Sequence, residues 1–319
     1  MIRLPLYAIV SRMKDDFFPV PRPARESSDD YRHLINIVDG LVRVGLFDVA
    51  VTGTENILHG GGKIDAYTHY TDWTDVIMAA HAEHKQTGFP ERFMTKSDYY
   101  EKEFKMGRKV IRLSEIFHDL DGFPVDRGKK KEKSGDIDDS AIEPRKKPDL
   151  QAVEYAVTLL SQGHVVAIAP QGESIKDKTL RPKLKKGVGL IAILGNAPIQ
   201  PKAIVGQTRR IPMAGRDLDL DIDLMGINKA LRLKVPNLSF TRRFVVRFGE
   251  PIELPLGAED FNIENLKRSI NEQTGQEEIV TPKELLRLAH EVNKQLTPRF
   301  YANYEAARQD FKKIYGRAT

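Results

Sequence analysis

The spacing of apolar residues predicts an amphipathic helix over residues 30–47. Apolar side chains recur there at steps of three and four residues, which is the period of one helix face. This face either packs against the protein's own core, which we favour, or lies on a membrane with Arg32 and Arg43 directed at lipid head groups. The apolar residues concerned are Leu34, Ile35, Val38, Leu41, Val42 and Leu46.

From about residue 48 onwards, short apolar runs alternate with segments of helical period. Strands that feed helices need crossover connections, so this order predicts an α/β fold with a mixed, largely parallel central sheet flanked by helices. Residues 1–47 then form an N-terminal segment, and residues 48–319 form one main domain. The predicted strands are VAVTG, KIDAYTH, ERFMTKS, HVVAIAP and IQPKAIVG, and the helices among them are DWTDVIMAAHAEH, LQAVEYAVTLLSQG and KGVGLIAILGN.

Four further segments complete the predicted domain. Residues 128–149 are almost free of apolar side chains, which predicts a mobile charged loop. This loop is either only solvated or binds phosphate groups or a membrane surface. Residues 216–236 alternate acids and leucines as a strand does, and they lack the glycine and terminal glutamate of an EF-hand loop. RRFVVRFGEPIEL predicts an edge strand that turns at Gly249, and a closing helix is predicted to start after Thr281.

Composition narrows the classes of function. The 50 Lys and Arg residues exceed the 45 Asp and Glu residues, a mild excess that suits anionic lipids, phosphorylated substrates or nucleic acid. The chain has no cysteine, which excludes disulfides, thiolate nucleophiles and cysteine-ligated zinc. Its apolar start is too short for a signal peptide, and no apolar run reaches the ~18 residues of a spanning helix. We therefore expect a cytoplasmic protein that contacts a membrane from one side at most.

Candidate chemistry begins at THYTDWTD, where a predicted strand gives way to a predicted helix. His69 lies at this junction, with Asp72 three positions later and Asp75 six positions later. A carboxylate that accepts a hydrogen bond from one ring nitrogen leaves the other nitrogen able to take a proton, which outlines a general-base dyad. Alternatively, His69 is structural, and the aspartates cap the helix or complement its dipole.

Two later segments offer phosphate ligands. Arg127 ends the run LDGFPVDRG and could hold a phosphate with its planar fork, or else form a surface pair with Asp126. In APQGESIKDKTLRPKLKKG, Gly172 permits close approach of the backbone to a ligand, while Lys183 and Lys185 could neutralise a phosphate. The alternative is a solvated loop between strand and helix. Neither GxxxxGKS nor GxGxxG occurs in this segment, so we predict no nucleotide-binding loop.

These segments, in this order, resemble the glycerolipid acyltransferases, the family of glycerol-3-phosphate and 1-acylglycerol-3-phosphate acyltransferases. GTENILHGGGKIDAYTHYTDWTDVIMAA is similar to the first block of the family, and RFMTKSDYY to its lysine-bearing strand, which places Lys96. GFPVDRG resembles the second block, APQGES with RPKLKKGVGLIAI the third, and APIQPKAI the fourth. The resemblance extends from about residue 50 to about residue 255, with a weaker continuation to residue 305.

The resemblance implies an enzyme in which His69 deprotonates the acceptor hydroxyl, which then attacks the thioester of acyl-CoA or acyl-carrier protein directly. It implies no metal and no cofactor. The acceptor would be glycerol 3-phosphate or a lysophospholipid, reached at the inner face of a membrane. Asp75 or Asp72 would orient His69, and the substrate-binding set would be Arg127, Lys96, Gln171, Gly172, Glu173, Lys183 and Lys185.

The chain also departs from the family pattern. Five residues separate His69 from Asp75 where the family has four, and Thr68 stands where the family has asparagine. Gln171 replaces the usual glutamate of the third block, and Glu173 with Ser174 replaces threonine and arginine. A non-catalytic lipid-binding homologue is therefore the alternative. A nucleic-acid binder is disfavoured, because the lysine-rich loop has no interleaved aromatic residues.

Overall fold

The computed structural model describes residues 23–68, 73–97, 103–106, 109–112, 117, 121–125, 149–172, 184–206, 210–213, 216–219, 242–263, 267–270, 277–280 and 282–316. The helices in these ranges are α1 (Asp29–Arg43), α2 (Trp73–Thr87), α3 (Leu150–Ser161), α4 (Gly187–Leu194) and α5 (Lys283–Tyr315). The strands are β1 (Phe47–Thr52), β2 (Lys63–Tyr67), β3 (Glu91–Lys96), β4 (Glu103–Met106), β5 (Lys109–Arg112), β6 (Phe123–Val125), β7 (Val165–Ile168), β8 (Ile199–Gly206), β9 (Arg210–Met213), β10 (Arg216–Asp219), β11 (Arg242–Phe248), β12 (Lys267–Ile270) and β13 (Glu277–Val280).

Seven strands form the central sheet, in the order β1-β11-β8-β2-β7-β3-β6. Strands β8, β2, β7, β3 and β6 run parallel to one another, and β11 with β1 runs the opposite way. The remaining strands form three separate antiparallel pairs, β4 with β5, β9 with β10, and β12 with β13. The predicted α/β class with a mixed, largely parallel sheet is confirmed.

The prediction that β11 is an edge strand is wrong. β11 lies between β1 and β8, and β1 takes the edge of the seven-stranded sheet. The consecutive residues Phe244, Val245 and Val246 are all buried, because α1 and α2 cover one face of the strand and α5 covers the other. An unbroken apolar run of this kind is the pattern of a strand buried on both faces.

The predicted amphipathic helix exists as α1, and its apolar face packs against the sheet. Tyr31, Ile35 and Val38 are buried in a cluster with residues of α2, β1 and β11, so the interpretation that we favoured from the sequence is confirmed. The helix is shorter than predicted. It ends at Arg43, because the chain turns at Gly45 with a φ of +73° and enters β1 at Phe47.

Helices α3, α4 and α5 cover the other face of the sheet and enclose the larger apolar cluster. α5 starts at Lys283, one residue later than predicted, and runs for 33 residues to Tyr315. The side chain of Asn303 on α5 donates a hydrogen bond to the Arg247 carbonyl oxygen at 3.1 Å. Among the described residues, no helix has the length and apolar character needed to cross a bilayer.

Two predicted features fall largely outside the described residues. Of the strand predicted over 216–236, the structure describes only Arg216–Asp219, which pairs with β9. The charged loop predicted at 128–149 lies outside the described ranges except for Asp149, whose side chain caps α3 by accepting a hydrogen bond from the Ala152 N–H at 3.2 Å.

Replacing Gly189 with alanine should lower the free energy of unfolding by about 1–3 kcal/mol, because the added methyl group collides with a neighbouring helix. A Cβ atom at Gly189 in α4 would lie 2.4 Å from the Ala289 carbonyl oxygen in α5. Urea unfolding measures the change. Gly187→Ala in the same helix is the matched control, because a Cβ atom there meets nothing within 4 Å. Equal effects of the two substitutions would contradict the close packing of α4 on α5.

Candidate active site

The carboxyl ends of five parallel strands meet at one edge of the sheet. β2 is the middle strand of the seven-stranded sheet, and the chain leaves it at Tyr67 to enter α2 at Trp73. The register sets Ala66 of β2 beside Ile168 of β7, and Lys96 of β3 beside Val125 of β6. Open α/β sheets bind ligands beyond the carboxyl ends of their strands, so this edge is the candidate site.

The predicted site residues all belong to chain segments that leave this edge. Lys96 is the last residue of β3 and is half-buried, and Asp75 lies in the first turn of α2, where only its backbone is described. Gln171, Gly172 and Lys185 are described and lie together after β7. The predicted residues outside the described ranges are His69, Asp72, Arg127, Glu173 and Lys183.

Thr68 fixes the start of the connection that carries His69. Its backbone N–H donates to the Lys202 carbonyl oxygen at 3.1 Å, which continues the pairing of β2 with β8 by one residue. Its side-chain oxygen accepts a hydrogen bond from the Ile204 N–H at 2.9 Å. The buried hydroxyl also donates to the Ile204 carbonyl oxygen at 3.5 Å, so the residue before His69 makes three hydrogen bonds to β8.

The turn after β7 brings together three of the predicted substrate ligands. The Gly172 N–H donates to the Ala169 carbonyl oxygen at 3.0 Å, and the Lys185 N–H donates to the Pro170 carbonyl oxygen at 2.7 Å. Gly172 has a φ of +81°, and a Cβ atom at this position would lie 3.1 Å from the Lys185 side chain. The stem of Lys185 therefore lies across Gly172, while its charged end is exposed to solvent.

A second feature of this region is a cluster of buried charges. We call it the Lys202 cluster, and it consists of Lys63, Asp65, Glu83, Glu91 and Lys202. The Lys202 ammonium group contacts three carboxylates, Asp65 Oδ2 at 2.5 Å, Glu83 Oε2 at 2.6 Å and Glu91 Oε1 at 2.6 Å. Lys63 Nζ pairs with Glu83 Oε1 at 2.9 Å. The cluster joins β2, β3, β8 and α2.

Charge balance in the Lys202 cluster requires one proton on a carboxyl group. Three carboxyl groups face two ammonium groups, so one protonated carboxyl leaves two charges of each sign. Burial opposes ionisation of Glu83, but Lys202 and Lys63 outweigh it and lower the pKa of Glu83 to about 2. Burial raises the pKa of Glu91 well above its usual value, and the charges of Asp65 and Glu83 raise it further although Lys202 opposes them.

The geometry places this proton between Asp65 and Glu91. Asp65 Oδ1 and Glu91 Oε2 are both buried, and neither has a conventional donor among the described residues. A proton on Glu91 gives both atoms a partner, since the protonated carboxyl group donates to Asp65. Burial raises the pKa of Asp65 as well, but Lys202, Lys63 and the hydrogen bond to Glu91 lower it. The same hydrogen bond raises the pKa of Glu91, so we assign the proton to Glu91.

The same three carboxyl groups are spaced closely enough to ligate a metal ion, with ligand atoms within 4.8 Å of one another. Lys202 Nζ lies within 2.6 Å of an oxygen of each, at the position that a bound cation would take. The charge of the carboxylates is thus balanced by side chains of this chain.

Comparisons with known proteins bear on the candidate site. The family model described as acyltransferase matches residues 48–205, from β1 to the end of β8. The chain belongs to the acyltransferase family. This finding confirms the family assignment that the ordered sequence blocks indicated.

Among the solved structures similar to the acyltransferase described here is the 1-acyl-sn-glycerophosphate acyltransferase PlsC from Thermotoga maritima. The two chains share 15% sequence identity, and the similarity covers 85% of this chain and 80% of that chain with a TM-score of 0.41. No curated protein sequence matches the acyltransferase significantly.

The sequence analysis missed the Lys202 cluster. Its signal was present, because Lys63, Asp65 and Lys202 interrupt strands that are otherwise apolar, and a strand predicted to be buried should hold no unpaired charge. The pattern did not show which charges meet, since Glu83 and Glu91 approach only when α2 folds back onto the sheet.

Replacing Glu91 with glutamine should change the free energy of unfolding at pH 5 by less than about 1 kcal/mol, because an amide has the size and the zero charge of a protonated carboxyl group. The matched substitution Glu83→Gln removes a buried charge that pairs with two lysines. It should lower the free energy of unfolding by about 3–5 kcal/mol. Urea unfolding at fixed pH compares the two variants.

The pH dependence of stability provides a second test of the charge states of Glu91 and Glu83. Because the pKa of Glu91 is raised, its contribution to stability is complete below its usual pKa of 4.5 and declines as pH rises through the raised value. The Glu91→Gln variant should lack this decline. The lowered pKa of Glu83 contributes stability that is present above 4.5 and is lost as pH falls towards 2. A Glu91→Gln variant less stable than Glu83→Gln at pH 5 would show that the proton resides elsewhere.

Proposed function

We propose that this acyltransferase moves a fatty acyl chain from acyl-CoA or acyl-carrier protein to the hydroxyl of glycerol 3-phosphate or 1-acylglycerol 3-phosphate. The observation that supports this proposal best is the position of the β2 to α2 connection. It lies at the carboxyl edge of the sheet, within the residues that the family model matches, and it contains the only histidine of the THYTDWTD block.

In the proposed reaction, His69 takes the proton of the acceptor hydroxyl as that oxygen attacks the thioester carbonyl carbon. A carbon–oxygen bond forms, the carbon–sulfur bond breaks, and His69 returns the proton to the departing thiolate. Asp75 or Asp72 holds the tautomer of His69 that can accept the proton. No acyl-enzyme is formed, so the transfer needs neither a nucleophilic side chain nor a cofactor.

The proposed binding groups lie on the neighbouring segments of the same edge. Cationic side chains suit the acceptor's phosphate, because they balance its charge. Glu173 would orient one of these cations, and Gln171 with Gly172 would contact the acceptor's uncharged part. The proposed cations are Arg127, Lys96, Lys183 and Lys185.

His69→Ala should lower kcat by about 10²–10⁴, the range for loss of a general base, and should leave the melting temperature unchanged. The assay pairs acyl-CoA or acyl-carrier protein with each acceptor and measures ester formation. His59→Ala is the matched control, since His59 is an exposed histidine before β2. Asp72→Asn and Asp75→Asn in the same assay identify the carboxylate that orients His69.

Two outcomes would overturn this proposal. If the unaltered protein forms no ester with any pair of substrates while a control enzyme is active, it is a lipid-binding homologue. If His69→Ala retains full turnover, another group accepts the proton.

Peripheral binding at the inner face of a cytoplasmic membrane belongs to the same proposal, because a 1-acylglycerol phosphate resides in membranes. Val44, directly after α1, is 69% exposed and offers an apolar contact. We expect Val44→Glu to reduce flotation of the full chain with anionic liposomes. Leu286→Glu is the control, since Leu286 is 45% exposed on α5, across the sheet from α1. Equal flotation of the three proteins would refute a role for this end of α1.

A further inference from the structure

Gln171 carries an amide that is buried without conventional hydrogen bonds. Its side chain is only 1% exposed, and neither Oε1 nor Nε2 has a hydrogen-bond partner among the described residues. An amide offers two donors and an acceptor, and leaving them unmet in the interior destabilises a fold. Such a group at the carboxyl edge of the sheet indicates a ligand that completes its hydrogen bonds.

Tyr301 of α5 brings a second polar group of the same kind to this position. Its hydroxyl is buried and also has no regular hydrogen bond to a described residue. The hydroxyl interacts with Gln171, in a geometry that falls short of a regular bond for either side chain. Burial raises the pKa of Tyr301, so the hydroxyl stays protonated and able to donate.

The surrounding packing holds both groups in place. Tyr301 packs against the apolar cluster shared by α3, α4 and α5, and its ring meets the Phe300 ring edge-on at a centroid distance of 5.8 Å. Gln171 belongs to the turn that the Lys185 N–H ties to the Pro170 carbonyl oxygen. The amide and the hydroxyl are therefore preorganised by the fold.

We propose that Tyr301 and Gln171 together bind an uncharged polar group of the acyl acceptor, a glycerol hydroxyl or ester carbonyl, and that Tyr301 is a specificity-determining residue of the enzyme. An amide and a phenol supply donors and an acceptor without formal charge, which suits such a group better than a phosphate. This inference rests on the proposed function. It adds α5, which lies outside the residues that the acyltransferase family model matches.

Tyr301→Phe removes only the hydroxyl and tests the proposal directly. It should raise KM for the acceptor about three- to tenfold, the loss of one hydrogen bond, and leave KM for the acyl donor unchanged. The melting temperature of the unliganded variant should stay equal or rise, because an unsatisfied buried hydroxyl has been removed. A residue with a purely structural bond would show the opposite effect on melting temperature.

Thermal-shift measurements give a readout that does not depend on turnover. Glycerol 3-phosphate and 1-acylglycerol 3-phosphate, each supplied to the full chain, should raise the melting temperature of Tyr301→Phe less than that of the unaltered protein. Inorganic phosphate, which lacks hydroxyl and ester groups on glycerol, should stabilise both proteins equally. Only 1-acylglycerol 3-phosphate contains the ester, so a difference confined to it identifies the ester carbonyl as the bound group.

Tyr304→Phe is the matched control, one turn further along α5. Tyr304 packs with Ala203 and Val245 over β8 and β11, and its replacement should leave acceptor KM unchanged. An active Tyr301→Phe enzyme with unaltered acceptor KM would overturn the inference and leave the proposed function intact. Absence of ester formation by the unaltered protein refutes the function instead, and the thermal-shift comparison then decides the inference alone. No stabilisation by either glycerol phosphate would refute the inference as well.

Discussion

The Lys202 ammonium group is the contact on which the arrangement of the candidate site depends. It contacts carboxyl groups of β2, β3 and α2 from its own place in β8, so four elements meet at one buried charge. Burying these ions is unfavourable, and their mutual attraction offsets that penalty only in a well-formed geometry. A misplaced α2 or a slipped register of β3 would leave a buried charge unpaired. The Lys202 cluster therefore selects one arrangement of the strands that surround β2 more than it adds stability.

The Lys202 cluster also bears on how His69, the proposed base, could be positioned. Thr68 pairs with the carbonyl oxygen of Lys202 and with the N–H of Ile204, so the backbone that presents His69 is bonded to the strand that carries the central cation. On α1, the Tyr31 hydroxyl accepts a hydrogen bond from the Glu91 N–H at 3.1 Å. This bond links α1 to the same group of strands, and it fits the burial of the apolar face of α1.

The sequence predicted the helices and strands well, but it predicted less well which of them lie side by side in the fold. Local spacing placed α1, β2, β3, β7, α4 and β8, since each follows from the period of its own residues. The spacing of residues along one segment does not show which other segments it packs against. For this reason β11 was predicted at the edge of the sheet, and the carboxyl groups that pair with Lys63 and Lys202 were not recognised. Gln171, Gly172 and Lys185 were found because they are close in sequence as well as in space. Tyr301 could not be found, because 130 positions separate it from Gln171 and its helical pattern looks like ordinary packing.

The position of Tyr301 suggests how specificity in this acyltransferase can vary independently of its chemistry. The proposed base and its supporting cluster lie within residues 48–205, whereas α5 comes from outside that range and reaches the turn after β7. The Lys202 cluster constrains every substitution near β2, because each of its members has charged partners. Tyr301 has no charged partner of this kind; it packs at the border of the apolar cluster and carries a hydroxyl that lacks a regular bond to the described residues. Changes of acceptor are therefore expected to arise on α5 more readily than on the strands that hold the proposed catalytic connection.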